Sequence, residues 1–121
     1  MLVGIAEDDE DVTFLMDMLL REQGHEVVSA TDGTAAIQMC REQSPDVLLL
    51  DFTMPGELDG LGVLNQLKAD PALREIPVLM LSAHTEEDRM SDCLAAGAAA
   101  FLIKPFEPED LFDLLSQVSG P

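Results

Sequence analysis

Cations are scarce in this chain of 121 residues. Six Lys and Arg stand against 24 Asp and Glu, a formal charge of −18 at pH 7. A surface this anionic repels nucleic-acid backbones and anionic membranes, so direct nucleic-acid binding is not expected. Long hydrophobic runs are missing as well. The longest nearly unbroken one, Cys93 to Ile103, carries Gly97 in its middle and falls short of the ~20 residues a membrane-spanning helix needs, so no membrane insertion is expected. Cysteine is limited to Cys40 and Cys93, which lie in helix-like segments without metal-type spacing. That predicts two buried or half-buried thiols rather than a disulfide, and it suits a reducing cytoplasm. Neither His25 nor His84 has a second His or Cys at ligand spacing, and both are expected at the surface. No basic region or small-residue cleavage site precedes the first apolar segment, so no secretory signal is expected.

The apolar fraction of 47% is broken into short segments, as in an ordinary globular protein. At this length the prediction is one domain over residues 1–121, burying roughly two-thirds of the surface its unfolded chain exposes.

Apolar strand-like runs alternate with segments of helical period. Leu2 to Ala6 reads as a strand, and Asp11 to Glu22 as an amphipathic helix, with Val12, Leu15, Met16, Leu19 and Leu20 at spacings of three and four and Gly24 ending it. Met16 and Met18 are expected to pack or to flank a partner surface. Glu26 to Ala30 is a second strand, and Asp32 or Thr34 caps a helix over Ala35 to Gln43 that Ser44-Pro45 stops. The continuous run Val47 to Leu50 suits a central strand covered on both faces, ending at Asp51. Helices are predicted near Leu61 to Ala69, over Glu86 to Ala96 and from Pro108 to Val118, with strands at Val78 to Leu81 and Ala100 to Ile103. Five strands alternating with five helices predict a parallel sheet with helices on both faces, because parallel neighbours require right-handed crossovers.

Ligands of such sheets bind at the carboxyl ends of the strands. That rule selects Glu7 and Asp8 after the first strand, Asp51 after the third, Ser82 after the fourth and Lys104 after the fifth. Three carboxylates brought together either keep a proton or recruit a cation, and an all-oxygen set suits a hard ion such as Mg²⁺. Lys104 adds a compact positive charge and Ser82 a hydroxyl donor. A metal, an ammonium and a hydroxyl converging on a carboxylate form an electrostatic cradle for a phosphoryl group, with Asp51 as the nucleophile. A flavin or nucleotide site would instead need phosphate-cradling Gly, Ser or Thr backbone after the first strand, where Glu7 to Asp11 stand and would repel a phosphate lacking a metal.

Glu7-Asp8, Asp51 with Met54-Pro55 and Asp59-Gly60 behind it, Leu81-Ser82-Ala83, Gly97-Ala98 and Lys104-Pro105-Phe106 together resemble the pattern of bacterial response-regulator receiver domains over nearly the whole chain. The resemblance implies a flavodoxin-like, doubly wound (βα)5 fold with strand order 2-1-3-4-5. It implies that Asp51 accepts a phosphoryl group from a histidine kinase or phosphotransfer protein. By the same resemblance Asp8 binds Mg²⁺ directly, Glu7 acts mainly through water, the Thr53 carbonyl completes the site, and Mn²⁺ substitutes. Lys104 pairs with the phosphoryl oxygens, Ser82 moves to hydrogen-bond them, and Phe101 turns inward as the switch aromatic. The signal then leaves through the face of helix four, strand five and helix five to a downstream protein or a fused output domain. The chain is then a switch rather than a turnover enzyme, and His84, two residues after Ser82, is placed to affect hydrolysis of the phosphoryl group. The alternative is a pseudo-receiver, an interaction module without phosphorylation, which would be expected to lose Asp51, Lys104 or the acidic pair.

Three features depart from the common pattern. The Met54 to Gly60 loop is read as one residue longer, Ser82 replaces a more frequent Thr, and Ala99-Ala100 stand where many DNA-binding relatives carry acidic residues. The last helix holds no Lys or Arg. The expectation is a monomer before phosphorylation, without the helix-five dimer of those relatives after it. Asp9, one residue further into the loop than Asp8, is held as a spare ligand.

Overall fold

The computed structural model describes residues 1–83 and 88–119. Within them, strands β1 Leu2–Ala6, β2 Glu26–Ala30, β3 Val47–Asp51, β4 Val78–Ala83 and β5 Ala100–Lys104 alternate with helices α1 Glu10–Glu22, α2 Gly33–Gln43, α3 Gly60–Ala69, α4 Met90–Ala95 and α5 Pro108–Ser119. All four strand pairings are parallel, in the order β2-β1-β3-β4-β5. This is the flavodoxin-like arrangement expected, and each crossover helix explains how neighbours that run the same way are joined.

Three helices start one or two residues earlier than the apolar period alone suggests, because capping carboxylates set the start. Asp9 accepts from the amides of Asp11 and Val12 at 2.9 and 3.4 Å, Asp32 from Ala35 at 2.8 Å, and Asp59 from Gly62 at 2.8 Å. Asp9 is therefore the cap of α1, and Asp32 rather than Thr34 caps α2. Glu10 and Asp11 occupy the first turn of α1, where negative charge meets the positive end of the helix dipole. Gly24 and Gly97 carry the left-handed turns, with φ of 88° and 110°, that release α1 and α4 into the following strands. The start predicted for α4, Glu86 and Glu87, lies outside the described residues, as does His84. Strands β4 and β5 each reach further than their apolar runs because Ser82 pairs with Ile103 and Ala83 with Lys104.

Alternation along the strands divides the core into two layers. Leu48 and Leu50 face one way, with Ala36, Ile37, Val63 and Leu64 of α2 and α3, while Val47 and Leu49 face the other, with Met16, Leu20, Leu111 and Leu115 of α1 and α5. Every residue of β3 is buried, which is why its sequence reads as a continuous apolar run. On α1 the predicted stripe is only partly covered: Met16 and Leu20 are fully buried, whereas Leu15 is 48% exposed, beside Phe14 at 70% and Met18 at 42%. Cys40 and Cys93 are both buried, and neither is in a disulfide. His25 is half-buried, with Nδ1 3.3 Å from the Met1 amine, rather than at the open surface. Among the described residues no helix is long and apolar enough to cross a membrane.

Candidate functional site

Strand register assembles the site. Ala6 lies beside Leu50, so the next residues along each strand, Glu7 and Asp51, emerge together at the carboxyl edge of the sheet. On the far side Asp51 lies beside Leu81 and Leu81 beside Leu102, which leaves Lys104 two residues beyond that level. Its four-carbon stem reaches back. Lys104 Nζ donates to Glu7 Oε2 at 3.0 Å and stands 3.3 Å from Asp51 Oδ1.

The result is a cleft of about 450 Å³ lined by Glu7, Asp8, Asp9, Asp51, Thr53, Ala83 and Lys104. Glu7 and Asp51 are nearly inaccessible at 1% and 5%, while Asp8 is exposed at the mouth. One oxygen from each of Glu7, Asp8 and Asp51 lies within 4.8 Å of the others. Glu7 Oε1 also accepts from the Asp9 amide at 3.2 Å, which fixes that carboxylate from both ends. The Thr53 amide lies 3.4 Å from Asp51 Oδ1, so the loop after β3 wraps back over its own carboxylate.

Burial, and then the Glu7 carboxylate, push the Asp51 carboxyl up from its ordinary 3.8 to about 7, against the pull of Lys104. Burial alone pushes the Lys104 ammonium down, but its hydrogen bond to Glu7 and the charge of Asp51 more than offset this, and the net shift is upward. When Asp51 is ionised, the carboxylates of Glu7, Asp8 and Asp51 outweigh the Lys104 ammonium by two negative charges. A divalent cation matches that excess, and an all-oxygen donor set with one solvent-facing member suits a hard ion that keeps part of its water shell. The residues therefore fit Mg²⁺.

Of the residues selected from the sequence, Glu7, Asp8, Asp51, Thr53 and Lys104 are brought together, while Ser82 is not on the open rim. Its side chain is fully buried, with Oγ 3.4 Å from the Ala83 carbonyl, and β4 continues one residue past it. Phe101 is half-buried beside Met80, packed against the core layer that holds α2 and α3. Two contacts had no signal in the residue types alone. Arg89, just before α4, places its guanidinium 5.6 Å from the centre of the Phe52 ring, next to Asp51 in sequence. Gly60, at the start of α3, lies directly against the Asp51 and Phe52 backbone; the Asp-Gly pair marked the spot but not the reason.

Comparison with known proteins agrees with this geometry. The family model described as response regulator receiver domain matches residues 3–116. The phosphate regulon transcriptional regulatory protein PhoB of Escherichia coli K12 is 34% identical over 107 residues, 88% of this chain and 46% of that protein, so the chain spans about half the length of such curated relatives. A putative response regulator from Chloroflexus aurantiacus superposes with a TM-score of 0.93 at 31% identity, covering 99% of this chain and 98% of that one. The receiver domain of a sensor histidine kinase from Pseudomonas aeruginosa, whose structure has a magnesium ion coordinated in its active site cleft, superposes with a TM-score of 0.90 at 28% identity and covers 99% and 98%. A sheet order, an acidic cleft and a match of this extent leave one assignment: the chain belongs to the response regulator receiver domain family.

Proposed function

We propose that the protein is a phosphoryl-accepting switch in which Asp51 is the acceptor. The observation that carries this is one buried carboxylate, Asp51, flanked by two further carboxylates and by the Lys104 ammonium at 3.3 Å. A carboxylate oxygen of Asp51 forms the new O–P bond while the P–N bond of a phosphohistidine on a histidine kinase or phosphotransfer protein breaks. The departing imidazole keeps the electron pair and takes a proton from water.

Asp8 and Asp51 would hold Mg²⁺ directly, with the Thr53 carbonyl, and Glu7 through water, since both of its oxygens already accept hydrogen bonds. When bound, the ion supplies positive charge where phosphoryl oxygens accumulate negative charge; Mn²⁺ is the expected substitute. Lys104 exchanges its present carboxylate partners for phosphoryl oxygens, and Ser82 swings from the Ala83 carbonyl toward the same group. Phe101 turns into the space that Ser82 leaves, and the α4, β5 and α5 face changes for a partner protein or a fused output domain. This is a population shift between two packings of one fold.

On this reading residues 1–121 form a single cytoplasmic receiver that is monomeric before phosphorylation and makes no direct nucleic-acid contact. The pseudo-receiver alternative loses ground because Asp51, Lys104 and the acidic pair are all present and in contact range. Intact-mass measurement after incubation with Mg²⁺ and a small phosphodonor tests the proposal: one added phosphoryl group on the wild type and none on Asp51→Asn. No adduct on the wild type, even with a competent kinase, sinks it.

A further inference from the structure

Building on the acceptor reading, we propose that Gly60 is a positioning residue for Asp51: its missing side chain sets where the acceptor carboxylate sits. A Cβ at position 60 would lie 2.4 Å from the Asp51 carbonyl oxygen, 2.7 Å from Phe52 Cα and 3.0 Å from the Phe52 carbonyl oxygen. All three are backbone atoms, and they cannot rotate aside as a side chain would. The Phe52 amide is tied to the Leu81 carbonyl at 2.8 Å, and the Gly60 amide to the Phe52 carbonyl at 2.8 Å. The end of β3 is thus clamped between β4 and the first turn of α3. The φ of Gly60 is outside the left-handed region, so the requirement is for space and not for backbone freedom.

Restoring an ordinary 3.4 Å contact from 2.4 Å means separating α3 from the strand end by about 1 Å (3.4 − 2.4). Asp51 stands 3.3 Å from Lys104 and 3.4 Å from the Thr53 amide, distances that a shift of this size takes out of range. Gly33 provides an internal control. A Cβ there would lie 2.7 Å from Leu58 Cβ, 2.8 Å from the Leu58 carbonyl oxygen and 2.8 Å from Val63 Cγ2, also under 3.0 Å and against the same loop, yet no Asp51 atom is among these nearest contacts.

The experiment compares wild type, Gly60→Ala and Gly33→Ala by urea unfolding, Mg²⁺ titration calorimetry and the rate of phosphorylation by an acyl phosphate followed by intact mass. Both variants lose stability. Gly60→Ala also binds Mg²⁺ about tenfold more weakly and accepts phosphoryl about 10- to 100-fold more slowly, the penalty of misplacing a reacting group by ~1 Å. Gly33→Ala keeps both properties near wild type. Wild-type affinity and rate in Gly60→Ala, or equal losses in Gly33→Ala, overturn the proposal. A wild type that binds Mg²⁺ yet takes no phosphoryl group defeats only the acceptor reading, since the Mg²⁺ affinities still report position. Should Gly60→Ala fail to fold, the wild type labelled with ¹⁵N at glycine decides. Mg²⁺ then shifts the Gly60 amide more than that of Gly33, and an unmoved Gly60 amide rejects the idea.

Discussion

Lys104 and Glu7, 97 residues apart in sequence, are joined by a 3.0 Å hydrogen bond, and this bond is shorter than the 3.3 Å separation of Lys104 from Asp51. The ammonium is therefore shared between the carboxylate that stays and the carboxylate proposed to react. Glu7 and Asp51 are both nearly excluded from water, and beyond Lys104 each accepts from one backbone amide, that of Asp9 and of Thr53 respectively.

Removing that ammonium while keeping its apolar stem, as in Lys104→Met, leaves two buried carboxylates facing each other. The expected loss is about 1–3 kcal/mol without metal, below the figure for a fully buried pair because Lys104 keeps a quarter of its side-chain exposure. Saturating Mg²⁺ recovers much of the loss, since a ligand that binds only the folded state stabilises it by mass action. Urea midpoints with and without Mg²⁺ measure this. Phosphorylation of Asp51 persists in the variant while the shape change, followed by spectral shifts around Phe101, is lost; normal switching would overturn the role given to Lys104.

The raised Asp51 carboxyl fixes the sign of a pH effect. Its folded value of about 7 exceeds the ordinary 3.8, so the folded state holds a proton the unfolded state has released. That contribution to stability is fully present below about pH 4 and is lost as pH rises through about 7. In metal-free protein, Asp51→Asn removes the ionisation. The variant is expected to match wild type near pH 4 and to exceed it by about 1–2 kcal/mol at pH 8, a figure reduced for the solvent that reaches the cleft. Denaturant midpoints across that window, with chelator present, test it. A variant less stable than wild type at pH 8 contradicts the electrostatic account.

Much of this was legible in the residues. Period and turn signals located the elements because β3 is buried on both faces and the helices carry apolar stripes. The rim residues were legible because parallel strands must end on one edge. What could not be read depends on register and stem length. Nothing in the sequence says that Lys104 bonds Glu7, since that follows from Lys104 standing two residues beyond the level of Asp51. The run from Glu7 to Asp11 looks uniform as letters but divides in space into cleft carboxylates, the Asp9 cap and a first-turn pair. That Ser82 is fully buried at the end of β4, with strand pairing running on to Ala83, could not be read from its residue type.

Helix α1 offers a test of where the apolar period misleads. Leu15 and Leu20 belong to the same sequence stripe, yet Leu20 is fully buried and Leu15 is 48% exposed. Leu20→Ala is expected to cost about 2–5 kcal/mol, the range for truncating a packed core residue, and Leu15→Ala no more than about 0.5 kcal/mol. Equal costs by thermal or urea unfolding would mean that the α1 stripe packs differently.

The last prediction concerns what phosphorylation does not do. In α5 the residues Glu109, Asp110 and Asp113 are exposed, and the helix carries no Lys or Arg. Two copies meeting through this face would oppose three carboxylates from each helix, and β5 supplies no answering charge, since Ala99 and Ala100 precede its apolar run and Lys104 is engaged in the cleft. Like charges this close repel across less than the ~8 Å screening length at physiological salt. Phosphorylated protein is therefore expected to keep its monomer mass in light scattering at moderate ionic strength. If α5 were nevertheless an interface, the association would strengthen as salt is raised, and substituting Asp113→Lys would enhance it. A dimer that forms on phosphorylation at low salt, with its contact mapped to α5, would show that apolar burial by Phe112 and Leu114 outweighs the repulsion.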